Sequence, residues 1–146
     1  MFQVITPGQP VLGLKIAHNT AIFTGNSTLA AGDTVAVAEG FVFRDNLVEH
    51  GNYGVFGSGR GEGTATLDFY FPGYQFDHNV GIGFPAASYP TGNAYPATPA
   101  DVGFVDYAGR NYRLASGSPF KGQASGGGDP GADIDRILAG TARVAP

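Results

Sequence analysis

The side chains of this sequence that could do acid–base or metal chemistry are three histidines and a scatter of carboxylates. Aligned without gaps, LKIAHNTAI (residues 14–22), FVFRDNLVE (41–49) and YQFDHNVGI (74–82) put His18, Asp45 and His78 at one equivalent position. If the segments stack at the spacing of neighbouring strands, about 4.8 Å, a carboxylate stands between two imidazoles. That arrangement favours the charged imidazoles and orients them, as a general base or a metal site requires. The alternative is a solvated polar stack. His50, beside Glu49, is a separate candidate base.

Two further groups could complete a site. The tail GGGDPGADID brings Asp129, Asp133 and Asp135 together in a glycine-rich segment, and hard oxygen ligands on such a loop suit Ca²⁺. Asp133 is equally placed to cap a helix starting near Ile134, and Asp45, Asp77, Glu62 and Asp68 are other available donors. In the run FYFPGY, the side chains of Phe69, Tyr70, Phe71 and Tyr74 could stack on a sugar ring or line a pocket for an acyl chain, or could close one edge of the core. The strong catalytic motifs are absent: there is no GxSxG elbow, HExxH, phosphate loop or dinucleotide fingerprint. Ser58, Ser116 and Ser118 carry no nucleophile signature, and FGSGRGEG lacks the Lys-Ser/Thr pair that a phosphate loop needs.

Composition narrows the partners. A net charge of −4 with only 8 Lys plus Arg leaves no basic face to neutralise phosphates, which argues against nucleic acid. Without cysteine there is neither a disulfide framework nor a thiolate zinc site. The N-terminal MFQVITPGQP lacks the charged and apolar regions of a signal peptide, and no apolar run is long enough to span a membrane. The chain is therefore expected to be free of membranes and cytoplasmic as written, or secreted if it is part of a larger exported protein.

These residues must be positioned by strands. With 24 Gly and 10 Pro in 146 residues a helical bundle is excluded, while 42% hydrophobic residues and a low charged fraction favour collapse over disorder. The one segment with helical periodicity is ADIDRILAGTARVA, where Ile134, Ile137 and Leu138 share a face. In each aligned repeat, two apolar residues flanking an outward one lead through a polar residue to an asparagine and a second short strand. Asn19, Asn46 and Asn79 lie 27 and 33 residues apart. A strand-based period of this length predicts a solenoid, with the asparagines at corners, tolerating a left-handed backbone and hydrogen-bonding to their equivalents one coil away.

The three FxFxxN-type segments, with the tail elements YRLASGSPFKG (112–122) and GADID (131–135), resemble the C-terminal end of right-handed parallel β-helix repeat proteins. These are large bacterial proteins whose relatives include pectate lyases and several glycoside hydrolases. The resemblance spans roughly residues 11–135. It implies an all-β fold, a right-handed parallel β-helix of about three to four coils with long loops and a short C-terminal helix. One domain is expected over residues 1–146: an edge segment at 1–13, coils and loops at 14–100, and a closing segment at 101–146. Family members have more coils and an N-terminal cap, so this chain looks like the truncated end of a longer solenoid. Its exposed coil edges predict homo-oligomerisation or a fold-back of residues 1–13.

The resemblance also raises calcium, which several β-helix polysaccharide lyases use, although the shortage of Lys and Arg argues against a polyuronate lyase. Two functions follow. In the first, a Ca²⁺-assisted hydrolase uses a histidine base on a small ester or lactone such as an acyl-homoserine lactone, with the aromatic run holding the acyl chain. The second is a non-catalytic end module with a structural or carbohydrate-binding role.

Overall fold

The structure is a computed structural model, and it describes residues 2–5, 11–32 and 38–142. Eleven short strands and three helices are found among them. In chain order they are β1 (Phe2–Val4), β2 (Lys15–Ala17), β3 (Thr20–Ala21), β4 (Leu29–Ala31), β5 (Val42–Arg44), β6 (Leu47–Glu49), β7 (Val55–Gly57), α1 (Thr64–Tyr70), β8 (Gln75–Asp77), β9 (Val80–Ile82), α2 (Pro99–Val102), β10 (Phe104–Asp106), β11 (Asn111–Leu114) and α3 (Ile134–Thr141).

The expected right-handed parallel β-helix solenoid is not what the strands form. They make three separate three-stranded parallel sheets, β1-β4-β7, β2-β5-β8 and β3-β6-β9, and one two-stranded antiparallel sheet, β10-β11; none of them is closed. The domain is therefore mostly β, with three small parallel sheets, an antiparallel hairpin and minor helices. The physical reason lies in the connections. After β7 the chain enters α1, and after β9 it runs through a 3₁₀ turn and α2 into the hairpin, so the strand–corner–strand rhythm stops after three layers. Among the described residues no helix is long and apolar enough to cross a membrane.

Within the three layers the repeats pair in the register of their alignment, Ile16 opposite Phe43 and Phe43 opposite Phe76, with Thr20, Leu47 and Val80 in a second row. Phe43 and Phe76 stack with ring centroids 5.1 Å apart, and Phe41 stacks on Phe71 at 4.3 Å, giving the core its aromatic spine. Strands β6 and β9 are buried on both faces, which is why they read as continuous rather than alternating apolar runs. Val48 points into the main core, whereas Leu47, Val80 and Ile82 pack against Val102 and Leu114 of the C-terminal segment. That segment lies close: Gly131, at φ 93°, sits against Thr20 and Leu47 where a side chain would not fit, and its N–H donates to the Asp45 carbonyl (2.8 Å).

The asparagines form a continuous hydrogen-bonded row. Asn19 donates through both its backbone N–H and its amide to Asn46 Oδ1, and Asn46 does the same to Asn79 Oδ1, all at 3.0 Å. A fourth member escaped the sequence pattern: Asn79 donates in the same way to Asn93. The left-handed residue at each corner is not the asparagine but the one before it, at φ 53°, 57° and 54° for His18, Asp45 and His78. Gly92, at φ 83°, takes that place before Asn93. The preceding residue turns the chain, which aims the asparagine side chain along the row.

Between the second and third layers the chain forms β7 at Val55–Gly57, and TATLDFY is helical although only the C-terminal segment shows helical periodicity. Its N-cap Gly63 offers no side-chain bond, so α1 is held by burial of Thr66, Leu67 and Tyr70. The expected fold-back of residues 1–13 falls in part on 1 and 6–10, outside the described residues; of the others, β1 pairs with β4, and Leu12 bridges to Glu39.

Tyr89, from the long loop after β9, is built into the core, where its hydroxyl oxygen accepts the Val55 N–H (2.9 Å). Tyr89→Phe keeps the ring but strands that buried donor, and a loss of about 1–3 kcal/mol is expected in chemical denaturation. A neutral outcome would mean that Val55 finds another acceptor.

Candidate functional site

The corner residues do not form the column that alignment suggests. His18 Nε2 lies 3.4 Å from Asp45 Oδ2, but His78 Nδ1 is paired with Asp77 (2.9 Å). Arg44 stands between the two pairs, its Nη2 3.2 Å from Asp77 Oδ1 and its Nε 3.7 Å from Asp45 Oδ2. Among the described residues no carboxylate is shared by two imidazoles. Asp45 instead anchors the tail: nearly all buried, it accepts the Ser125 N–H (2.6 Å) and hydroxyl (2.7 Å). Burial pushes its carboxyl up, but the Ser125 donors, with His18 and Arg44 beside it, outweigh that and hold it below the usual range.

His50 is packed edge-on to Phe84 and Tyr89 rather than facing solvent. Its Nδ1–H donates to the Gly51 carbonyl (2.8 Å), an assignment that follows from the carbonyl being an acceptor only. Its Nε2 is buried 3.4 Å from Glu62 Oε2, so this nitrogen is turned toward a carboxylate.

The aromatic run is spread over core and surface. Phe71 is in the core, and Tyr70 is buried with its hydroxyl donating to the Ser58 carbonyl (2.7 Å). Tyr74 packs against the core from its edge. Phe69 is partly exposed, with the Arg60 guanidinium 3.6 Å above its ring.

The three tail carboxylates border one cleft, yet each has its own partner. Asp129 accepts from Lys121 Nζ (2.7 Å) and the Gly122 N–H (2.8 Å), and Asp135 accepts from Arg113 Nη2 (2.6 Å) and Nε (2.9 Å). Asp133 caps α3 by accepting the Arg136 N–H (2.9 Å). Burial raises the Asp129 carboxyl, but Lys121 and the Gly122 N–H bring it below its ordinary value; Arg113 lowers Asp135 directly. Among the described residues no three His, Asp or Glu side chains converge as a metal site. Calcium, which takes several oxygens around one point, would have to displace the Lys121, Arg113 and backbone N–H partners of these carboxylates.

The cleft itself encloses about 700 Å³, within the usual range for small-ligand sites. The hairpin supplies Val105, Tyr112 and Arg113, the tail supplies Lys121 and Asp129 to Arg136, and His18 reaches in from the first corner. Tyr112 is braced by Phe104 and Tyr107 at 5.7 and 5.8 Å, and Tyr107 donates its hydroxyl to Glu49 Oε1 (2.6 Å). That bond to a carboxylate, aided by burial, pushes the Tyr107 phenol up to about 12. The lining holds three cations, Arg113, Lys121 and Arg136, and three carboxylates, Asp129, Asp133 and Asp135. Its charge balances, and Tyr112 adds one aromatic ring to the lining. Sequence inspection found the three acids but not their partners or the hairpin, because Tyr112 and Arg113 lie outside every repeat. A smaller cleft of about 390 Å³ lies by His78, Asn93, Phe120 and Gln123. No family model, curated protein or solved structure matches the chain.

Proposed function

We propose that the protein is a non-catalytic binding module for a neutral carbohydrate, held in the cleft between the β10-β11 hairpin and the tail. One observation carries this reading: a ligand-sized cleft lined by three cations, three carboxylates and the aromatic ring of Tyr112. A balanced lining gives no advantage to an anion or a cation. A ligand bearing many hydroxyls can use the lone pairs and N–H groups that these pairs leave over, and its apolar face can rest on the tyrosine ring.

Calcium-assisted hydrolysis of a small ester or lactone would need a base, a cation and an acyl pocket in one place. His50 is turned into the core, His78 and His18 sit on separate carboxylates, and Phe69, Tyr70, Phe71 and Tyr74 are spread over core and surface. Carbohydrate binding accounts for the cleft, which of these residues only His18 borders. Association of protomers through the strand edges, expected from the sequence, does not depend on the cleft.

Titration with a panel of neutral oligosaccharides is the test, using wild type and Tyr112→Ala. The variant should bind roughly tenfold more weakly, the equivalent of one stacking contact of about 1.4 kcal/mol. Assays of the same samples on lactones and esters, with calcium and with chelator, should show no turnover. Calcium-dependent turnover abolished by His50→Ala or His78→Ala would replace this reading with the hydrolase.

A further inference from the structure

The asparagine row closes on Asn93 with two donors left over. At each earlier corner, two neighbouring N–H groups donate to the layer that follows. The corner residue donates to a backbone carbonyl, His18 to Arg44 (3.4 Å), Asp45 to Asp77 (3.3 Å) and His78 to Gly92 (2.8 Å). The asparagine beside it, Asn19, Asn46 or Asn79, donates its N–H to the next Oδ1 at 3.0 Å. Gly92 and Asn93 hold the fourth copy of this pair, and among the described residues neither N–H has an acceptor. Gly92 keeps the left-handed turn of the other corners, at φ 83°, so by equivalence both N–H groups point out of the row in the same direction. Successive N–H groups around such a turn form a concavity that takes anionic oxygens.

Both residues border the smaller cleft, whose 390 Å³ lies at the small end of the range for ligand sites; Pro119, Phe120 and Gln123 border it too. None of the residues that adjoin 1, 6–10, 33–37 or 143–146 borders it, and its whole lining belongs to the continuous stretch 38–142. The vacancy suits an acceptor rather than another amide. Along the row, each asparagine amide donates to the carbonyl three residues before the preceding asparagine: Asn46 to Ile16 (3.0 Å), Asn79 to Phe43 and Asn93 to Phe76 (both 2.9 Å). The equivalent carbonyl of the last layer, Pro90, already accepts the Tyr95 hydroxyl (2.7 Å) and the Asn93 amide (3.1 Å). A further carboxamide would find no such partner for its N–H groups, whereas a carboxylate, which only accepts, meets both free donors. The carboxylate already on this corner, Asp77, is engaged by His78 Nδ1 (2.9 Å) and Arg44 Nη2 (3.2 Å).

We propose that this cleft binds a small carboxylic acid with an apolar body, its carboxylate oxygens accepting the Gly92 and Asn93 N–H groups and its body resting against Phe120 and Pro119. The two oxygens take the places that a corner carbonyl and an asparagine Oδ1 hold in every earlier layer. The site is separate from the carbohydrate cleft and does not depend on it.

The test is amide NMR of the full chain, with benzoate as the probe and benzamide as its neutral isostere. Saturable downfield shifts are expected at the Gly92 and Asn93 amides, with benzamide binding at least roughly tenfold more weakly. Gly92→Asp sets a negative charge beside the two donors, at a corner where Asp45 shows that aspartate tolerates the left-handed backbone (φ 57°). It should fold, as a thermal melt would verify, and bind benzoate at least roughly tenfold more weakly. Gly92→Asn, of the same shape without the charge, should bind benzoate nearly as wild type does. The mapping in wild type stands as evidence even if neither variant folds. The proposal is overturned if the Gly92 and Asn93 amides do not respond, if benzamide binds equally, if the two variants bind benzoate alike, or if the response centres instead on Arg113 and Arg136 of the larger cleft.

Discussion

Asn46→Ala is expected to remove about 4–6 kcal/mol, much of the 5–15 kcal/mol that holds a domain of this size together. The side chain is fully buried and serves four bonds: it accepts from the Asn19 N–H and amide, and donates to the Ile16 carbonyl and Asn79 Oδ1. Alanine breaks all four and strands buried groups in both neighbouring layers, and each stranded group costs about 1–3 kcal/mol. The melting temperature should fall by roughly 10–20 °C if the variant folds at all. Asn46→Asp does little better, because it keeps the acceptors, loses the donors and buries a charge. Asn19→Ala should cost about half as much, since Asn19 Oδ1 serves no described group and the Asn19 N–H can still reach Asn46. Chemical denaturation of the three variants tests the order. Equal, small losses at Asn19 and Asn46 would mean that each asparagine acts alone rather than as part of a row.

Asp45→Ala should cost about 3–5 kcal/mol, the usual penalty for breaking a buried charged pair on one side. It strands the Ser125 N–H and hydroxyl, and takes the Asp45 carboxylate away from buried Arg44 Nε, which already lacks a hydrogen-bond partner, leaving the guanidinium only Asp77 at Nη2. The consequence reaches the cleft, because Ser125 lies between Lys121 and Asp129 on the segment that forms one wall. Asp45→Asn keeps the shape and one acceptor, so it should lose less. The pH dependence follows from the direction of the shift. The folded carboxyl lies below its unfolded value of about 3.9, so its contribution is fully present above that value and is lost as pH falls through the lower folded value. Wild type should therefore lose its advantage over Asp45→Asn below about pH 4. A gap between the two that stays constant from pH 7 to pH 3 would contradict the assignment of a charged Asp45 to this anchor.

The asparagine row was legible because the same side chain recurs in the same frame at residues 19, 46 and 79. Its fourth member was hidden: Asn93 sits in TGNAYP, without the two apolar residues that mark the others, and only the glycine before it hints at a corner. The register of the strands followed from the alignment, but the sheet architecture did not. A strand template says which residues pair, not how many layers follow or what the inserts become. Helix α1 gave no signal because seven residues with two threonines and no side-chain cap have little intrinsic helicity, and packing of Leu67 and Tyr70 decides the matter. The site was half legible. Asp129, Asp133 and Asp135 stood out by composition, yet composition could not show that Lys121, Arg113 and the start of α3 engage them, and those partners turn an apparent calcium loop into a balanced cleft. His18, Asp45 and His78 share a frame, but Arg44 and Ser125 decide what they touch.

The most direct test of carbohydrate binding is an amide NMR spectrum recorded during titration with neutral oligosaccharides. The account predicts saturable shifts confined to Val105, Tyr112–Leu114, Lys121 and Asp129–Arg136, with none around His50 or in the FYFPGY run. Shifts centred on His50 or on Phe69 to Tyr74, or an unchanged cleft across the whole panel, would contradict it.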